Sequence, residues 1–91
     1  MNVYREISDP DKMAAYAALA FPALTGAGGR FIARGMPEAY FEAGQEERVV
    51  LIEFDSVEAA VAAHNSSEYA EALAALDGGA VRDLRIVPAA E

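Results

Sequence analysis

The sequence predicts an α+β domain of element order β-α-β-β-α-β that pairs with a second copy of itself. Three observations point there. Val49-Val50-Leu51-Ile52-Glu53-Phe54 is β-branched or aromatic almost throughout, with apolar residues on both sides. Two stretches of helical periodicity flank it, each opened by a capping residue. The chain has 91 residues and no cysteine, so a single small core must hold without disulfide help.

Val3 to Ser8 reads as a short first strand. Asp9-Pro10 starts a helix, because Asp9 can accept from the first free N–H groups and proline suits the first helical position. Met13, Tyr16, Ala17, Ala20 and Leu24 recur at helical spacing. Pro22 removes one hydrogen bond and crowds the Ala18 carbonyl, which predicts a kink or an end near Phe21. Thr25-Gly26-Ala27-Gly28-Gly29 breaks the pattern. Arg30 to Arg34 is read as the second strand, and Glu38 to Ala43 as its return across Gly35-Met36-Pro37.

After Val49–Phe54, Ser56 caps a helix carrying Val57, Ala60, Val61 and His64 on one face. Asn65-Ser66-Ser67 interrupts it and starts another, with Tyr69, Leu73 and Leu76 in register. Asp77-Gly78-Gly79 stops that helix, and Val81 to Val87 is the last strand, closed by Pro88. The whole chain is one domain, residues 1–91, with a short polar tail from 88 to 91. The order is the ferredoxin-like one.

Along Val49–Phe54, Val49, Leu51 and Glu53 point to one side and Val50, Ile52 and Phe54 to the other. Two helices can cover only one face of a four-stranded sheet, so a second copy is the expected cover and a homodimer is expected. A net charge of −8 argues against nucleic acid and against anionic membrane surfaces. No secretory leader and no apolar run near the ~20 residues of a membrane span are visible, which predicts a cytoplasmic address.

Asp9-Pro10, Tyr16, Gly28-Gly29-Arg30-Phe31-Ile32-Ala33-Arg34-Gly35, Arg48 to Phe54 and Ser67-Glu68-Tyr69 together resemble the domain-of-unknown-function 1330 family. That family lies in the dimeric α+β-barrel superfamily. The resemblance covers nearly the whole chain and implies a ferredoxin-like unit forming a dimeric α+β barrel. It implies no particular reaction. The usual family arginine near the end of the second helix is absent, with Leu76 in about its place.

Glu53 is the sole charge in its strand, and such a charge needs a partner. Arg30 and Arg34 are expected to share a face with Ile32, and one of them is expected to meet Glu53. Two readings follow. One is an anion-binding pocket in which Glu53 orients the guanidinium groups or acts as a base. The other is an ion pair that sets strand register or the dimer. His64, the single histidine, is a candidate acid/base or ligand group, or simply a helix-end cap. Tyr16 and Tyr69 are candidate ligand contacts or core residues. No residue set has the spacing of a metal site, and the residues call for no cofactor. The functional expectation is a small organic ligand held in a cleft at the sheet face. The alternatives are a cofactor-free enzyme of monooxygenase or isomerase type, or an interaction module without ligand.

Overall fold

A computed structural model describes residues 1–90. Its elements are β1 (Asn2–Ile7), α1 (Pro10–Gly26), β2 (Arg30–Gly35), β3 (Val49–Glu53), α2 (Val57–His64), α3 (Ser67–Leu76) and β4 (Ala80–Leu84). The strands form one antiparallel sheet in the order β2-β3-β1-β4. This is the ferredoxin-like α+β arrangement, with the second helix split into α2 and α3.

The caps work as the residue types require. Asp9 Oδ1 accepts from the Asp11 and Lys12 N–H groups, each at 3.1 Å. Ser56 Oγ accepts from Ala59 at 3.0 Å and Ser66 Oγ from Tyr69 at 3.2 Å. Asp77 at φ 40° and Gly78 at φ 71° carry the left-handed turn that ends α3.

Three boundaries differ from the sequence reading. Helix α1 runs through Pro22 to Gly26. Pro22 and Ala18 both lie on its exposed side, so the carbonyl that proline leaves unpaired can face water. Residues 38–43 form no strand. The hairpin partner of β2 is β3, and the chain between them is a loop that exposes Phe41 by 80%. Pro37 lacks an N–H, and the continuous β-branched run of β3 offers the better ladder. The last strand ends at Leu84 rather than Val87: Arg85 still exchanges two backbone hydrogen bonds with Met1, and Pro88 brings no N–H to a ladder.

The core lies between α1, α3 and one sheet face. Tyr16, Ala20 and Leu24 of α1 meet Tyr69, Ala72 and Leu76 of α3, with Ala63 beside them. Alanines let the helices approach closely, and Ala72 is 0% exposed. Phe31, Ile52, Phe54 and Ala80 close the core from the sheet side. The opposite face carries Val3, Val49, Leu51 and Val81. No part of the described chain covers it, and the Cα envelope measures 38 × 37 × 15 Å, the thickness of two layers.

A bulge decides which side chains share a face. Arg30 pairs with Glu53 and Phe31 with Ile52, but Ala33 pairs with Leu51 and Arg34 with Val50. Ile32 is the extra residue, so the alternation shifts there. Arg30 therefore stands on the open face with Glu53, while Arg34 stands on the helix-facing side. This corrects the expectation that Arg30, Ile32 and Arg34 are aligned.

Gly29 tests the packing where α1 hands over to β2. A Cβ there would lie 2.8 Å from the Leu24 carbonyl oxygen and 2.9 Å from Phe54 Cζ. Gly29→Ala is expected to lose about 1–3 kcal/mol of stability, read as a lower urea midpoint at unchanged slope.

Candidate functional site

A cavity of about 510 Å³ opens between the C-terminal half of β3, α2, and the chain that follows β4. β1 pairs with β3 at Asn2↔Val50 and Val3↔Val49, with a further bond of 2.9 Å from the Tyr4 N–H to the Arg48 carbonyl, and the cavity lies past the Asn2 end of that ladder. Ile52, Phe54, Val57 and Ala60 give it apolar walls. Tyr16, Tyr69, His64 and Asn2 give it polar points, and the segment 84–89 forms its far wall.

Tyrosines at the deep end are tied together. The Tyr16 and Tyr69 hydroxyls are 2.7 Å apart, and Arg82 Nη1 donates to them at 2.9 and 3.2 Å. The Arg82 guanidinium also lies 5.0 Å from the Tyr16 ring centroid. Arg82 has no carboxylate partner among the described residues. Its charge is met by hydroxyl oxygens and a π face. One hydroxyl proton serves the Tyr16–Tyr69 bond, so the other remains for a further acceptor. Asn2 is 8% exposed and its Oδ1 has no partner, which leaves a buried acceptor beside this group.

Burial, followed by the hydrogen bond with Tyr69, pushes the Tyr16 hydroxyl well above the ordinary tyrosine range, against the pull of Arg82. Burial raises Tyr4 in the same way, again opposed by Arg82. Both stay neutral donors through the physiological range.

Of the residues singled out from sequence, Tyr16 and Tyr69 come together at the deep end. His64 lies at the cavity edge, its ring centroid 5.3 Å from that of Tyr69 and its Nδ1 3.2 Å from Asn65 Oδ1. Arg30 Nε donates to Glu53 at 2.9 Å, and its Nη2 to Asp55 at 3.1 Å. Those groups are about half exposed or more and stand on the open face, with Glu53 at the cavity rim. Arg34 does not join them; its guanidinium lies 5.8 Å from the Phe31 ring centroid. Among the described residues no three His, Asp or Glu side chains cluster as metal ligands.

Arg82, Asn2 and Tyr4 are the site residues that sequence reading missed. One signal was available. Arg82 alternates with Leu84 and Ile86, so it is a charge on an apolar strand face, the same criterion that picked out Glu53.

A family model described as "Domain of unknown function (DUF1330)" matches residues 2–90. The chain belongs to this family. Two crystal structures of the RPA0582 protein, which is of unknown function and comes from Rhodopseudomonas palustris, have the same fold. The structure of its methylated form is 20% identical at a TM-score of 0.69, covering 96% of this chain and 78% of that one. The other is 22% identical at a TM-score of 0.63, covering 96% and 80%. At these identities the likeness concerns fold alone. No curated protein matches the sequence. Among the described residues, no helix of this DUF1330 domain is long and apolar enough to cross a membrane.

The tyrosine–arginine group makes stability depend on pH in one direction. An unfolded tyrosine releases its proton near 10, whereas native Tyr16 holds on to its own. The stabilisation is complete below that value and is lost as pH rises above it. Melting temperature is expected to fall from pH 9 to pH 11, and Tyr16→Phe to flatten that slope. An equal slope in the variant would show that Tyr16 is not the group responsible.

Proposed function

We propose that this DUF1330 protein is a homodimeric binding protein for a small organic molecule held in the cavity behind β3. The observation that carries this reading is the polar group at the closed end of an otherwise apolar chamber. One spare tyrosine O–H and the unpartnered Asn2 Oδ1 sit there, with the Arg82 charge behind. Ligand sites share this form, with apolar walls supplying area and a few convergent polar atoms setting orientation. The nearby guanidinium makes the hydroxyls better donors, which favours a ligand with a carboxylate or carbonyl acceptor.

Benzoate, hexanoate and indole at millimolar concentration test this by thermal shift. The acids are expected to raise the melting temperature by about 4–8 °C, the shift that ~1 kcal/mol of binding produces in a domain of this size. Tyr16→Phe is expected to remove that gain. No shift with any of the three removes the reading.

The dimer rests on the open sheet face. Val49 and Leu51 lie there half-buried and Val81 is 55% exposed, with Arg5–Asp83 and Arg30–Glu53 pairs framing them. A second copy laid on this face would cover the apolar stripe and shield those pairs. Sedimentation at about 100 μM is expected to give twice the 9.6 kDa chain mass. Leu51→Glu is expected to give single copies with unchanged circular dichroism. A wild-type monomer at that concentration removes the dimer.

A second functional reading is a cofactor-free acid–base catalyst. It draws on His64, whose ring abuts Tyr69 and lines the same cavity. Turnover of a bound ligand that His64→Asn abolishes, with binding retained, would favour it.

A further inference from the structure

The chain carries seven lysines and arginines against fifteen acids. With that excess a cation finds a carboxylate readily, and Arg5, Lys12, Arg30 and Arg85 each do. Arg82 is held by tyrosine hydroxyls instead. That leaves Arg34 and Arg48. Neither meets a carboxylate among the described residues. Both line one further cleft, of about 70 Å³, between α1 and the helix side of the sheet. Among the described residues no acidic side chain lines it.

Strand register brings the two arginines together. Arg34 pairs with Val50, so Arg48 is its diagonal neighbour on the same face. Diagonal Cβ atoms stand about 7–8 Å apart, within reach of long side chains. The Tyr4 N–H donates to the Arg48 carbonyl at 2.9 Å, which sets Tyr4 beside Arg48 in the sheet. Tyr4 is buried, lines the cleft and keeps its proton, so it adds a neutral hydroxyl. Without the bulge at Ile32, Arg34 would stand on the open face with Arg30.

Two like charges around one confined space repel, and a cleft lined by one sign concentrates ions of the other. Guanidinium forks match the oxygens of carboxylate and phosphate groups, two bonds at a time. Two full positive charges are balanced by a dianion. A phosphoryl group comes close to that near pH 7, and a single carboxylate does not. The volume equals that of about two liquid waters, at ~30 Å³ each, which admits a phosphoryl head and little more. Any organic part then lies outside, where Phe21 is 48% exposed and its ring centroid is 5.1 Å from that of Phe31.

We propose that Arg34 and Arg48 bind a phosphoryl dianion in the cleft beneath α1, either free phosphate or the head of a small organic phosphate. This site is additional to the chamber behind β3, which Arg34 and Arg48 do not line.

The test uses inorganic phosphate and phenyl phosphate at millimolar concentration, pH 7.5 and constant ionic strength, with chloride as the control salt. At least one phosphate is expected to raise the melting temperature by about 4–8 °C and to move the Nε–Hε resonances of Arg34 and Arg48. Arg34→Gln is expected to remove the gain with circular dichroism unchanged, because Arg34 is exposed. Arg48→Gln is expected to remove it as well. A larger gain with phenyl phosphate supports an organic phosphate resting on Phe21, and an equal gain supports the free ion. No gain from either phosphate, or a gain that a folded variant keeps in full, overturns the site. Benzoate separates this cleft from the chamber. Its stabilisation is expected to survive Arg34→Gln, and its loss there would place both anions in one site and overturn the second. If benzoate stabilises the protein and neither phosphate does, the cleft falls and the chamber stands.

Discussion

A sheet is held by backbone hydrogen bonds between neighbouring strands, and here the two central strands share very few. β1 and β3 pair directly at two positions, whereas β3 follows β2 along its whole length and β4 runs beside most of β1. The molecule's other features follow from that mismatch. The end of β3 has one neighbour instead of two, and beyond Arg85, which still pairs with Met1, the chain runs along the cavity. The space between them becomes the cavity.

Irregular pairing also distributes the charges. The bulge at Ile32 sends Arg30 to the open face and Arg34 to the helix side. A second register shift, between Tyr4 and Glu6, keeps Tyr4 opposite Arg82 on the core side and allows Arg5 to reach Asp83 on the open one, at 3.0 Å. The open face therefore carries complementary pairs around an apolar stripe. The core side carries Arg34, which lies beside the Phe31 ring, and Arg82, satisfied by tyrosines. A cation held in this way sustains a positive potential at the cavity floor, which a carboxylate partner would cancel.

The helical layer gives these groups their setting. Small residues at Ala20, Ala63 and Ala72 bring α1 and α3 close enough for Tyr16 and Tyr69 to touch, with ring centroids 6.1 Å apart in an edge-on arrangement. Two hydroxyls on different helices then converge on one guanidinium from the sheet. The packing of this core and the polarity of the site are the same contact, so the site is held rigidly.

Much of this was legible in the residues themselves. Caps at Asp9, Ser56 and Ser66, the stop at Asp77-Gly78, four of the five segments read as strands (all but 38–43) and the two-sided apolar character of β3 are local properties, set by side-chain chemistry within a few positions. That Arg30 or Arg34 would meet Glu53 was legible; which of the two, the alignment of Arg82 with two tyrosines, and the length of the β1–β3 ladder were not. Each depends on register between segments far apart in the chain, and a one-residue bulge reverses the face of everything beyond it. The amino-acid order by itself determined the helices, the four strands that form and that the sheet would be apolar on both sides, but not that 38–43 would stay a loop. Only the tertiary structure decided where the strands fall out of step, because register is chosen by the pairing of whole strands and their helices together.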